Sequence, residues 1–413
     1  MTSCDLSPDG KTVIYASQDH TLRLSDAASG RLLKTLEGHC NTKSGLSSEI
    51  TLCGFSPDGK TIFSATCDNT VRLWDAASGA LLRTHDGYYN GNPGCPNEIV
   101  SYRFLPDGNA IVAETDFETV RLWDVVSGTL LQEFEGNSES VASCSFSPDG
   151  KTILSASCDE TLNLWDAASG ALLKTLEGHT GIVNWCGFSP DGKTIFSAAM
   201  DNTMRLWDAG SGALLKEFGG FASRVDFCSI SPDGKNIATV SAHLSTLSLR
   251  DAFSGTLLKE FEGHSRWATS CRFSPDGTMI VSSASDNTVR LWDVATGSLL
   301  KTLKGHSTIV NSRSFSPEGM TVVSASTDNS IKLWDLSRGP NAASESMALL
   351  SLPHGQATAV DLLGNRILWA SENAWRYLGW EYNDETTGRP GMLPAEHFGP
   401  LPTSPDSPPA QPV

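Results

Sequence analysis

Nothing in this chain of 413 residues is long and apolar enough to span a bilayer. Its opening, Met1-Thr2-Ser3-Cys4-Asp5, lacks the basic and apolar regions of a secretory leader, and no Asn-X-Ser/Thr glycosylation acceptor occurs anywhere. Positive charge is also scarce: 30 Lys and Arg stand against 47 Asp and Glu, a formal net charge of −17. A field of that sign repels phosphate backbones and anionic lipid, and no basic run interrupts it. Nucleic acid and membrane surfaces are therefore not expected as partners. Close Cys-X-X-Cys pairs and histidine clusters are missing too, so no zinc site and no cofactor are expected. The ten cysteines fit an intracellular chain, cytoplasmic or nuclear. Cys4, Cys53, Cys144, Cys186, Cys228 and Cys271 each fall two residues before a Phe, Leu or Ile that ends a short apolar run. The same phase means the same face, which makes them small core fillers rather than disulfide partners or metal ligands.

What the chain has in abundance is itself. Trp-Asp recurs at Trp74-Asp75, Trp123-Asp124, Trp165-Asp166, Trp207-Asp208, Trp292-Asp293 and Trp334-Asp335, and the decayed pairs Ser25-Asp26 and Arg250-Asp251 fill the remaining slots. The steps are about 42 residues, except two of 49. A period of this size marks a repeat architecture and decides the fold class. The unit is clearest from Gly178 to Gly212: Gly178-His179, then the runs Ile182 to Phe188, Thr194 to Ala198 and Met204 to Asp208, with a last run from Ala213 to Phe218. Pro190-Asp191-Gly192 and Asp201-Asn202-Thr203 punctuate them. Proline presets φ, glycine accepts positive φ, and Asp or Asn bonds its own backbone, so each unit reads as four short antiparallel strands.

With its Gly-His start, Asp turn and Trp-Asp finish, the chain resembles the WD-repeat family over roughly residues 1 to 352. The resemblance implies an all-β fold: a β-propeller of four-stranded antiparallel blades around a central channel, eight-bladed, with seven blades as the alternative. No residues precede the first strand to complete the last blade. The closing strand is therefore expected from the C-terminal side, at Met347 to Leu352. Residues 353–380 read as a degenerate ninth unit or a closing segment packed on the propeller, and 381–413 as a Pro-rich flexible tail.

Sets of Ser, His and Asp invite reading as catalytic triads: Ser64, His39 and Asp68; Ser197, His179 and Asp201; Ser282, His264 and Asp286; Ser324, His306 and Asp328. A nucleophile needs one strained, exposed setting with an oxyanion hole, and four copies at repeat spacing do not have one each. The family resemblance instead implies structural tetrads, completed by Trp74, Trp207, Trp292 and Trp334, in which Asp accepts from His, His bonds Ser, and Ser bonds the indole N–H. Two matches to the phosphate-loop pattern, Gly54 to Thr61 and Gly187 to Thr194, span a strand end, a Pro-Asp turn and the next strand rather than a helix start, and so are accidents of the repeat. An enzyme with a site in the central channel would require one unit to supply a singular acid, base or metal set. None is found, and the chain reads as noncatalytic.

Departures from the repeat are more informative. Unit three has Phe117 and Tyr88 in the Asp and His slots; unit six has Leu244, Phe221 and Arg250 in the Asp, His and Trp slots. These two units should be the softest. Extra residues before units two and three, around Cys40 to Ser48 and Tyr89 to Asn97, would raise a lip carrying Tyr88 and Tyr89. By resemblance, partners bind the top of the ring, beside the first strand and just before the turn Asp. Those positions are Glu49, Thr51, Glu98, Ile182, Asn184, Arg224, Asp226, Trp267, Thr269, Ile309 and Asn311, with Cys67 and Met200 before the turn. The expected function is a noncatalytic scaffold binding a protein or peptide through this face and lip. The near-verbatim units also resemble the C-terminal sensor repeats of nucleotide-driven fungal and bacterial immune receptors. A sensor module of that kind and a substrate receptor of a ubiquitin ligase are the alternatives.

Overall fold

The computed structural model describes residues 3–17, 19–38, 50–66, 70–86, 99–115, 120–134, 136–137, 139–221, 223–241, 244–337, 346–351, 357–361, 366–370, 379–383 and 390–394. They form eight antiparallel sheets in chain order, which we call blades 1 to 8, and one separate hairpin. The blades cover residues 4–36, 50–86, 99–134, 141–176, 183–218, 225–261, 268–303 and 310–370. No helix among the described residues is long and apolar enough to cross a membrane.

Blade 5 shows why the unit folds this way. Its strands are Val183–Phe188, Thr194–Ala199, Met204–Asp208 and Leu214–Phe218, paired in that order. The first turn closes on its own side chains: Ser189 Oγ donates to Asp191 Oδ1 at 2.6 Å, and Asp191 Oδ1 accepts from the Lys193 amide at 3.1 Å. Gly192 supplies the φ of +71° that the turn requires. The amides of this stretch are thus spent on the turn, and both phosphate-loop look-alikes lie on strands and turns.

Side chains alternate across a strand, and here both faces are buried. Ile195 and Trp207 face blade 4, packing with Leu164 and Leu176. Phe196, Met204 and Leu206 face blade 6, packing with Val225 and Ile237. The same division repeats around the molecule, so the core is a ring of eight inter-blade clusters rather than one central mass. Cys4, Cys53, Cys144, Cys186, Cys228 and Cys271 are all buried in these clusters, and burial pushes the thiols of Cys4 and Cys271 up to about 12.

First strands line a central cavity of about 690 Å³. As sheet edges they carry unpaired amides, and side chains of the preceding blade satisfy several of them. Ser3 Oγ accepts from the Cys53 amide at 3.1 Å, and Asp5 Oδ2 accepts from the Phe55 amide at 3.2 Å.

Among the described residues, ring closure uses no strand exchange. Ser346–Ser351 is the fourth strand of blade 8, and all four strands of every blade are contiguous in sequence. The seam between blades 8 and 1 is one more apolar cluster, in which Cys4, Val13 and Tyr15 meet Val323, Ile331 and Leu349. The stretch that resembles a ninth unit adds two strands, Ala357–Asp361 and Arg366–Ala370, to the outer edge of blade 8, making a six-stranded sheet. Ala359 enters the seam cluster from there. The hairpin, Gly379–Asn383 paired with Pro390–Pro394, places paired strands inside the stretch read as a flexible tail.

Leu349→Ala should lower unfolding free energy by about 2–5 kcal/mol, the usual cost of emptying a buried leucine site. Leu173→Ala, at an exposed position of blade 4, should change it by no more than about 0.5 kcal/mol. Denaturant titration of both variants checks the pair, and an equal loss at both sites would contradict a packed seam.

Candidate functional site

Three blades hold four side chains in one hydrogen-bonded chain. In blade 5, Trp207 Nε1–H donates to Ser197 Oγ at 2.9 Å, Ser197 Oγ lies 2.8 Å from His179 Nε2, and His179 Nδ1 lies 2.8 Å from Asp201 Oδ2. Blade 7 repeats this with Trp292, Ser282, His264 and Asp286 at 2.8, 2.8 and 3.0 Å. Blade 8 does so with Trp334, Ser324, His306 and Asp328 at 2.9, 2.8 and 3.0 Å. In blade 2, Trp74 donates to Ser64 at 2.9 Å, while His39 and Asp68 lie outside the described residues.

Donor counting orients the chain. An ionised carboxylate only accepts, so Nδ1 carries the proton of the neutral imidazole, Nε2 accepts from the Ser O–H, and the Ser oxygen accepts the indole N–H. Each serine is fully buried, with the indole on one side and the imidazole on the other. A substrate carbonyl has no approach to such a hydroxyl. These are braces between strands, not nucleophiles.

The remaining blades show how the brace is replaced. Blade 4 puts Asn137 in the His slot, where its Oδ1 accepts from Ser155 Oγ at 3.1 Å and from Asn163 Nδ2 at 3.0 Å. Blade 1 exchanges sizes: Tyr15 stands in the Ser slot and Ser25 in the Trp slot, both buried, with the two oxygens 3.4 Å apart. In blade 6 the guanidinium of Arg250, in the Trp slot, lies 4.2 Å from the ring centroid of Phe221, in the His slot. A cation–π contact thus stands where blades 5, 7 and 8 have the brace. In blade 3, Phe117 and Tyr88 lie outside the described residues.

The start of a first strand and the end of a second strand fall at the same end of a blade, and the repeat puts all such ends on one face of the ring. A backbone clasp joins them. The Met200 amide donates to the Ile182 carbonyl at 2.8 Å, Ser285 to Trp267 at 2.8 Å, Thr327 to Ile309 at 3.3 Å and Cys158 to Ser140 at 2.8 Å. Met200, Trp267 and Ile309 are exposed there, and Ile182 is half-buried. Arg224 Nη1 reaches Met200 Sδ at 3.9 Å, and its Nε lies 2.8 Å from Asp226 Oδ1.

One step inward the residues turn to the ring's interior. Asn184, Asp226 and Asn311 line the central cavity. Asn184 Nδ2 donates to the Val225 carbonyl at 2.8 Å and Thr269 Oγ1 to the Val310 carbonyl at 3.3 Å, each tying its blade to the next. Thr51 Oγ1 donates to its own blade's Ala65 carbonyl at 3.4 Å. Glu49, Cys67, Tyr88, Tyr89 and Glu98, and with them the proposed lip, lie outside the described residues.

Burial holds His179, His264 and His306 below the ordinary 6.5, more strongly than their carboxylates raise them. Asp201, Asp286 and Asp328 are lowered as well, by bonds from the paired histidine, a neighbouring hydroxyl and an amide that together outweigh burial. Unfolded histidines take up protons first as pH drops through 6.5, so the tetrads contribute full stability above that pH and lose it below. The melting temperature should be level above about pH 7 and fall between about pH 6.5 and 5. A flat profile down to pH 5 would contradict this. Separately, His179→Ala should cost about 1–3 kcal/mol for each group left without its partner, measured by denaturant titration.

The WD40 model, described as WD domain, G-beta repeat, matches residues 30–75, 128–166, 170–208, 255–293 and 297–335. These matches end on Trp74, Trp165, Trp207, Trp292 and Trp334 with their aspartates, the units that keep the indole–serine pair. Unmatched are the units of blades 1, 3 and 6, which carry Tyr15 with Ser25, Ala113 in the Ser slot, and Arg250. No curated protein matches the chain. Among solved structures, the chain is similar to the computationally designed Ika8 protein, at 27% identity and a TM-score of 0.69, over 81% of this chain and 95% of that one. Eight sheets in a ring, with the Trp-Asp unit recognised in five of them, make this chain a WD-repeat β-propeller.

Proposed function

We propose that this propeller is a noncatalytic scaffold that binds a protein or peptide on the face carrying the backbone clasps. One observation carries the reading: Trp267, Ile309 and Met200 are 55%, 43% and 41% exposed at equivalent ends of blades 7, 8 and 5, where water is the alternative neighbour. Large apolar side chains held out by a rigid backbone, with Arg224 and Asp226 between them, have the make-up of an interaction hot spot. The positions that build the blade are nearly copied from unit to unit, whereas these differ, as a surface shaped for one partner should. Meanwhile the only Ser-His-Asp sets among the described residues are consumed as buried braces. The face therefore offers contact area rather than a reactive group.

Selection of peptides from a random library on the parent protein supplies a ligand for the test. Trp267→Ala should weaken the best peptide by about 2 kcal/mol or more, roughly thirtyfold, as removal of a central aromatic does. Thermal melting should be nearly unchanged, because the indole is mostly exposed. Equal affinity for parent and variant would remove this face from consideration.

A further inference from the structure

The fourth position of the first strand faces the preceding blade, and register fixes it without ambiguity. Cys4 pairs with Tyr15, Cys53 with Ser64, Cys144 with Ser155, Cys186 with Ser197, Cys228 with Thr239 and Cys271 with Ser282. In blade 8 the residue so placed, paired with Ser324, is Arg313. A slot that six blades fill with a small thiol here holds a guanidinium, only 9% exposed.

That guanidinium is short of partners. Its Nε and Nη2 are buried and accepted by no atom among the described residues. It forms no ion pair among them either, and its plane lies 5.8 Å from the Phe227 ring centroid. Nε–H and Nη2–H are the two parallel donors along one edge of the group, the edge that grips two oxygens at once. Two other arginines satisfy the same edge, while Arg250 and Arg290 leave Nε unmet among the described residues. Arg121 turns it to Glu133 at 2.9 and 2.6 Å, and Arg205 turns it to Glu217 at 3.1 and 2.7 Å.

Arg313 borders the central cavity together with Arg272, Arg103, Asp5 and Asp226. Asp226 is already ion-paired with Arg224. Asp5 accepts from the Phe55 amide, and burial pushes its carboxyl up, which weakens it as a counter-charge. Burial, and after it the like charge of Arg272, lowers Arg313 to about 10. The cavity of a strongly acidic protein is thus bordered by three guanidinium groups, of which Arg272 and Arg103 are exposed and Arg313 is buried. Leaving such a charge buried without an anion is costly.

We propose that the central cavity is a binding site for a small oxyanion, a phosphate or carboxylate group, held by the guanidinium of Arg313 with Arg272 beside it. The cavity, at about 690 Å³, has room for a ligand well above the size of the ion itself. This site adjoins the clasp-bearing face at Asp226 but does not depend on the proposed peptide contact.

Isothermal titration of the full chain with inorganic phosphate and, separately, with citrate tests it. Saturable binding of either is expected. The tighter of the two assigns the site to phosphoryl or carboxylate ligands. Arg313→Cys restores the residue of the other blades and should weaken that binding about tenfold or more, as loss of a charge-assisted pair does. Arg272→Gln, at an exposed position, should weaken it as well and serves as the second variant if Arg313→Cys does not fold. No saturable binding of either anion by the parent, or unchanged affinity in the variants, overturns the proposal.

Discussion

A buried indole N–H has to find an acceptor, and much of this molecule is arranged around that requirement. Trp207 is the largest side chain in its inter-blade cluster and brings a polar atom into it. Ser197 on the neighbouring strand accepts, and having accepted must donate, which brings in His179 and then Asp201. One apolar choice therefore recruits residues from the loop before the blade, from two strands and from the turn between them. The turn aspartate in its term bonds the Thr180 amide at 3.1 Å and Thr203 Oγ1 at 2.7 Å, so the ends of the blade are fixed along with its middle. Networks satisfied at every atom specify one geometry, and repetition makes that geometry the blade.

The brace is a solution rather than a fixed part. Blade 1 keeps the volume by trading Ser-and-Trp for Tyr15-and-Ser25, and blade 4 keeps the acceptor but draws it from Asn137. Blade 6 abandons the hydroxyl and stacks Arg250 on Phe221, with Arg250 Nη1 donating to the Gly255 carbonyl at 3.0 Å. What persists through these exchanges is the requirement that the space be filled and its polar atoms be met. The same requirement makes Arg313 conspicuous, since it alone of these variant side chains brings a full charge into a thiol's place with two donors unmet among the described residues.

The architecture was legible in the sequence because it is written several times over. The Trp-Asp period, the Pro-Asp-Gly turns and the Asp turns are local signals, each with a local physical cause, and together they announce eight four-stranded sheets. Compensations were harder to see. That Tyr15 and Ser25 answer one another, or that Phe221 sits under Arg250, depends on which side chains meet across strands, and spacing alone does not supply that. Asn137 could have been found, since it follows Gly136 where the other units have Gly-His. Arg313 could also have been found, by asking which blade breaks the cysteine phase. The contacts of the polar channel residues were hidden for a related reason. Asn184 and Thr269 lie beside the strand, as expected of a partner surface, but their donors are taken by the carbonyl at the start of the next blade.

Because every blade is drawn from one uninterrupted segment, a cut in any loop between blades divides the ring without severing a sheet. The seam between blades 8 and 1 is made of the same apolar contacts as the other seven joints. Genetic gain or loss can therefore act on whole blades, each exchanged segment arriving with its own brace and its own two interlocking sides. Near-verbatim neighbours such as Asp75 to Arg83 and Asp166 to Lys174 are what such copying leaves behind. A protein built this way changes its recognition surface by shuffling complete wedges, while the registers inside each wedge stay untouched.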